Sequence, residues 1–205
     1  MLKQEALLRR GLRERGFRNE RIYVAVDHER GTCSLNGREF GVIYPDSFFE
    51  HTKYLMKFPK VYSFYFNGEM HETGGRPRML APFATQRRSR VVASSVGRCS
   101  FMKSRFNGIY FANLAMSEFG LCPHHADWPG DVMWTYRFVE CAMVGTLPVV
   151  FRETPLDEQF TRGFHFLWDD EVSTRRPDTN QVSEWSKSNR SLAESRFRLP
   201  INLSL

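Results

Sequence analysis

Hydrophobic and polar positions fall into two regimes along this chain. Before residue 59 no single alternation holds. Leu2, Ala6, Leu7, Leu8 and Leu12 make an apolar stripe at helical spacing over 2–16, opposite a basic face. Residues 21–27 (RIYVAVD) have strand character, 31–37 read as a turn, 40–44 are a short apolar run, and Pro45-Asp46-Ser47 open a helix that runs through Tyr54. From Pro59 the pattern becomes regular. Strands are predicted at 61–66, 90–94, 119–122, 147–151 and 164–168, and helices at 79–85, 109–117, 134–144, 156–163 and 182–198. Polar loops separate them at 69–77, 124–132 and 171–180.

Strand and helix alternate for about 140 residues, which predicts βαβ units: an α/β fold with a Rossmann-like, mostly parallel sheet and helices on both faces. The expected division is an N-terminal helical and extended extension over 1–58, followed by a Rossmann-like domain over 59–205.

Charge narrows the partners. The net charge of +6 is spread over an N-terminal group (Arg9, Arg10, Arg13, Arg15, Arg18), a middle group (Arg87, Arg88, Arg90) and scattered others. No segment interleaves these cations with aromatic residues as a nucleic-acid surface does, so nucleic acid is not the expected partner. The four cysteines form no C-x-x-C and no histidines stand at zinc spacing, so no metal site is expected. Reduced cysteines, with no secretory leader and no apolar run of spanning length, predict a cytoplasmic setting. The basic amphipathic helix at 2–16 is read as packed on the domain, with a helix facing a membrane surface or a second chain as the alternative.

The segment from Phe119 to Phe151 carries the chemistry. Between Asp131 and Arg152 only Arg137 and Glu140 are charged, and three residues apart they share a helix face. Charges among Trp, Tyr, Phe, Val, Cys, Ala and Met must be paired or reach a ligand. The helix follows the carboxyl end of a strand, where open α/β sheets bind ligands. Thr135 can cap it, and its N-terminus with Arg137 suits a diphosphate. Glu140, one turn deeper, could accept from two vicinal hydroxyls. The competing reading is an i,i+3 ion pair that only holds the helix.

This segment resembles the donor-site motif of the exostosin-like glycosyltransferases, a GT-B group. The matching residues are Cys122-Pro123, the loop to Gly130, Arg137, Glu140, Gly145 and Pro148-Val149. The strand Tyr62 to Phe66, with Asn67-Gly68 and Arg76 and Arg78, resembles the family's earlier phosphate-side strand and loop. Where the motif carries Arg-Gly after Cys-Pro, this chain has His124-His125. The resemblance implies one half of a two-domain enzyme that binds a nucleoside-diphosphate sugar without a cofactor or metal and moves the sugar to a carbohydrate acceptor. It places Glu140 at the ribose, Arg137 near the diphosphate, and Arg76 and Arg78 as further phosphate contacts. The implied setting is polysaccharide or glycoconjugate synthesis.

Catalysis would need a base for the acceptor hydroxyl, for which Asp46, His71, Glu72 and Asp127 are the candidates; His71 and Glu72 follow the first strong strand, at the correct end of the sheet, and Asp127 lies in the proposed donor loop. His124 is a candidate sugar or phosphate contact. No Walker A, G-x-G-x-x-G or G-x-S-x-G pattern is present, which argues against a P-loop enzyme, a dinucleotide dehydrogenase and an α/β-hydrolase. The alternative function is a non-catalytic nucleotide-sugar-binding module, or an interaction protein that needs a second chain.

Overall fold

The computed structural model describes residues 3–18, 24–27, 32–70, 75–94, 105–123, 135–153, 156–200 and 203. The chain opens with helix α1 (Lys3–Glu14), then an antiparallel meander of β1 (Val24–Asp27), β2 (Thr32–Leu35) and β3 (Arg38–Phe40). The stretch at 31–37, read from sequence as a turn, contains strand β2. Only Asn36 and Gly37 turn, at φ 48° and 83°, the left-handed pair that closes a two-residue hairpin in register with strand twist.

The stripe of α1 is used inside the protein. Leu8 and Leu12 pack with Cys33, Leu35, Ile43 and Leu199, while Leu7 joins the main core. The helix is thus packed on the domain through its apolar face, as the first of the two readings expects. Three of the N-terminal arginines are also engaged: Arg9 with Glu5, Arg10 with Glu14, and Arg15 with Asp46. No helix among the described residues is long and apolar enough to cross a membrane.

Helix α2 (Asp46–Leu55) leads into the regular half: β4 (Tyr62–Gly68), α3 (Arg76–Ala84), β5 (Ser89–Ala93), α4 (Gly108–Ala115), β6 (Ser117–Leu121), α5 (Tyr136–Val144), β7 (Leu147–Val150), α6 (Glu158–Thr161), β8 (Leu167–Trp168) and α7 (Thr179–Phe197). The five strands form one sheet in the order β5-β4-β6-β7-β8, every neighbouring pair parallel. This is the α/β, Rossmann-like arrangement. From β4 the chain first moves outward to β5, then crosses back over β4 to β6 and continues to β8. The order reverses between β4 and β6, which makes that gap the topological switch point.

Helix α3 supplies Met79, Leu80 and Phe83 to one face of the sheet, against Phe64, Phe66, Phe119 and Phe151. The other face holds a larger core built from α4, α5 and α7 together with Tyr44, Phe48 and Phe49. Residues 42–49 thus share a core with the parallel sheet. Helix α5 lies at the centre of that core and is buried from Arg137 to Val144. Its apolar residues, on every face of the helix, reflect contact on every side rather than on one stripe. It approaches β6 closely: a Cβ at Gly120 would stand 2.2 Å from Cys141 Sγ, so only glycine fits there.

Candidate functional site

The last residues of β4, Phe66, Asn67 and Gly68, form one side of the switch point, and Leu121 to Pro123 after β6 form the other. Helix α5 begins beyond them. Thr135 caps it as expected, its hydroxyl accepting from the Arg137 N–H at 3.2 Å.

Arg137 then reaches back across the switch point. Its Nη2 donates to the Asn67 carbonyl at 2.7 Å. Its guanidinium lies over the Phe66 ring, 4.2 Å from the centroid, a cation–π contact in a dry setting. Gly68 is shaped by this arrangement, because a Cβ there would stand 2.7 Å from Nη2. The side chain is 2% exposed, yet Nε has no hydrogen-bond partner.

Glu140, one turn on, is 1% exposed and sits deeper. Tyr44 donates to its Oε1 at 3.0 Å and Tyr110 to its Oε2 at 2.8 Å. Arg137 and Glu140 were expected to face an open crevice together. Instead only Arg137 stands at the strand ends, and both Glu140 oxygens are occupied by phenols from outside its helix. The carboxylate anchors α5 to the segment before α2 and to α4. This arrangement offers no free oxygen pair to a ribose.

The other predicted residues separate. Arg76 begins α3 after Gly75 and donates to the Glu69 carbonyl at 3.1 Å, which puts it at the carboxyl end of β4. Arg78 points outward and pairs with Glu153. His71, Glu72, His124 and Asp127 lie outside the described residues. Among the described residues no three His, Cys, Asp or Glu side chains gather as a metal site requires.

Sequence reasoning did not pick out Tyr44, Tyr65 or Tyr110, and it named Asn67 only as part of a strand end, with no role of its own. Tyr65 and Asn67 could have been found, because two-residue periodicity puts both on one face of a strand that was predicted. Nothing local marks Tyr44 or Tyr110 as partners of Glu140, which lies 96 and 30 residues away along the chain. A separate open concavity of about 1010 Å³ is lined by Arg15, Arg38, Asp46, Glu194 and Arg198 among others. It is remote from the strand ends, and Asp46 binds both Arg15 and Arg198 there.

No protein-family model matches this sequence, and no curated protein matches it either. Among solved structures, a chain of the crystal structure of the GtfA/B complex is similar at 11% identity and a TM-score of 0.42, over 69% of this chain and 34% of that one. This chain therefore spans about a third of that neighbour's length. The likeness is faint, and the fold described above rests on the strand order.

Proposed function

We propose that this chain is the donor-binding part of a GT-B-type glycosyltransferase of exostosin-like kind, which takes a nucleoside-diphosphate sugar and passes the sugar to a carbohydrate acceptor. The observation that carries the reading is the position of Arg137. Its guanidinium is held at the end of β4, the strand beside which the order reverses and where α/β sheets hold their ligands. Guanidinium has five N–H donors, and the Asn67 carbonyl takes one. The capped N-terminus of α5 stands beside it and adds a positive dipole end. A diphosphate leaving group would be stabilised there electrostatically as its charge develops.

Arg76, on the α3 side of the same edge, is the second phosphate contact in this reading. Glu140 is a positioning residue: held by Tyr44 and Tyr110, it fixes the turn of α5 that carries Arg137. The acceptor proton falls to the loops after β4 and β6, with His71, Glu72 and Asp127 as the bases proposed and His124 as a donor contact.

A thermal-shift screen with UDP, GDP, CMP and their sugars tests the reading. A ligand that binds the native state raises the midpoint. The expected result is a rise with one nucleoside diphosphate, lost in Arg137→Met while that variant still melts cooperatively. No rise with any nucleotide would overturn the proposal. Release of labelled sugar, with and without a carbohydrate acceptor, then separates turnover from binding alone.

A further inference from the structure

Three buried polar atoms at the end of β4 have no hydrogen-bond partner: Tyr65 Oη, Asn67 Oδ1 and Arg137 Nε. They belong to residues that adjoin one another. Tyr65 and Asn67 share one face of the strand, Arg137 is bonded to the Asn67 backbone, and both the Asn67 amide and the Arg137 charge act on the Tyr65 phenol. The Asn67 side chain lies beside that phenol and favours its ionised form, while neither Tyr65 Oη nor Asn67 Oδ1 has a partner in hydrogen-bonding geometry. Tyr65 is fully buried and Arg137 nearly so, at 0% and 2% exposure. Polar groups this deep are normally paired, and each orphan asks for an explanation.

The chemistry of the three atoms defines what would satisfy them. Arg137 Nε–H can only donate. Asn67 Oδ1 can only accept. Burial pushes the Tyr65 phenol above its ordinary range, against the smaller opposing influence of Asn67, so it keeps its proton and can donate. A phosphate oxygen would answer the two donors but face the Asn67 oxygen with negative charge. A hydroxyl answers all three, because it accepts from two donors and gives its own proton to one acceptor.

We infer that the Tyr65 hydroxyl, the Asn67 side-chain oxygen and Nε of Arg137 form a subsite for an alcohol hydroxyl of the ligand, beside the phosphate contact made by the other donors of the same guanidinium. The inference rests on the proposed sugar-nucleotide reading and deepens it: this corner of the switch point reads the sugar or ribose part of the donor. A site built to hydrogen-bond a hydroxyl discriminates strongly against a ligand without it, since its own polar groups are then left unpaired.

The test compares the wild-type chain with Tyr65→Phe, which removes only the phenol oxygen and keeps the ring. Two arms are read by thermal shift and calorimetry. One arm uses UDP, GDP and their glucose and mannose conjugates. The other uses free D-ribose, D-glucose and D-mannose at high concentration, where the general stabilisation by any polyol is common to both proteins and cancels. The expected result is a hydroxyl-dependent affinity that falls about tenfold to a hundredfold in Tyr65→Phe. Binding of phosphate-only probes such as pyrophosphate would stay unchanged. If the nucleotide arm is silent but the sugar arm responds and is lost in Tyr65→Phe, the subsite stands and the nucleotide reading falls. If every bound probe binds Tyr65→Phe as it binds the wild type, or no hydroxylated probe binds either protein, the subsite is refuted. Asn67→Asp is the second variant. It keeps an acceptor and should retain sugar binding better than Asn67→Leu.

Discussion

The two ends of the parallel sheet both bury cations, and they treat them differently. At the end where the strands begin, Lys60 donates to the carbonyls of Ala115 and Gly145 at 2.8 Å each and lies 3.3 Å from Thr146 Oγ1. It thereby serves the closing turns of α4 and α5 together, where helix carbonyls lack intrahelical donors. Arg190 of α7 ties the middle of α2 to the closing turn of α5. Its Nη1 bonds Thr52 Oγ1 at 2.6 Å and the Met143 carbonyl, and its Nη2 bonds the Phe49 carbonyl at 2.7 Å. At the end where the strands finish, Arg137 makes one bond to backbone and leaves Nε unpaired. A structural cation is recognised by donors that are used up on protein acceptors. Arg137 is not used up, and that difference is the ground for proposing the carboxyl end as the site.

The comparison can be broken most directly at Arg190. Replacing it by Met takes the donor from the buried Met143 carbonyl and removes two further bonds, to the Phe49 carbonyl and the Thr52 hydroxyl, which keep their bond to each other. At about 1–3 kcal/mol for the carbonyl left unsatisfied and about 0.5–1.5 for each of the other two bonds, the expected loss is roughly 3 kcal/mol. Urea denaturation monitored by Trp fluorescence measures it. A loss below about 1 kcal/mol would show that the acceptors find water and that α7 is not tied to α5 by this residue.

Lys60→Met should cost about 2 kcal/mol by the same reasoning, since two helix ends lose one shared donor at a site that is only partly closed. Lys60 also leaves a mark in pH. Burial pushes its ammonium down from 10.5 to about 8. Between those values the unfolded chain still holds a proton that the folded chain has released, so this group makes stability rise with pH from about 8 towards 10.5. Below that window the folded state carries the penalty of a buried charge in full. The difference between wild type and Lys60→Met, followed by denaturant midpoint across the window, should therefore grow in favour of wild type. A flat difference would mean that the lysine keeps its ordinary basicity.

How much of this could be read from sequence depends on whether a contact is local. The alternation after Pro59 predicted the strands and helices because period-2 and period-3.6 patterns are set by neighbours along the chain. The Thr135 cap was legible for the same reason. The pair Arg137 and Glu140 stood out because charges in an apolar helix need an explanation, but their spacing suggested one shared destination. The structure separates them: α5 is enclosed on all sides, so one turn carries Arg137 to the sheet edge while the next takes Glu140 into the core. Tyr44 and Tyr110 reach Glu140 from distant parts of the chain, and no local pattern encodes that meeting. The hairpin at Asn36-Gly37 was missed because strands of four and three residues are too short to show alternation.

Glu140→Gln refines the comparison from the core side. The amide keeps one acceptor for a phenol and turns a donor towards the other. The expected cost is about 1–2 kcal/mol, from one charge-assisted bond weakened and one buried hydroxyl left to reorient. If Glu140 acts only by holding α5, nucleotide binding in this variant should weaken little, and Tyr110→Phe should mimic it. A complete loss of nucleotide affinity with unchanged stability would return Glu140 to the ligand.

The smallest expected effect is the most telling. Arg137→Met removes a single hydrogen bond to Asn67 and a cation–π contact with Phe66, but it also removes a buried N–H that has no partner, and Met can lie over the same ring. These terms nearly offset, so stability should change by less than about 1 kcal/mol. That is well under the change for Arg190→Met, although both replace a buried arginine by the same side chain. Ligand binding should respond in the opposite order, abolished in Arg137→Met and retained in Arg190→Met wherever that variant remains folded. Parallel denaturation and calorimetry on the two proteins read this crossing directly. If Arg137→Met unfolds as readily as Arg190→Met, then Arg137 is a strut like the cations at the other end of the sheet, and the switch point loses its claim to a ligand.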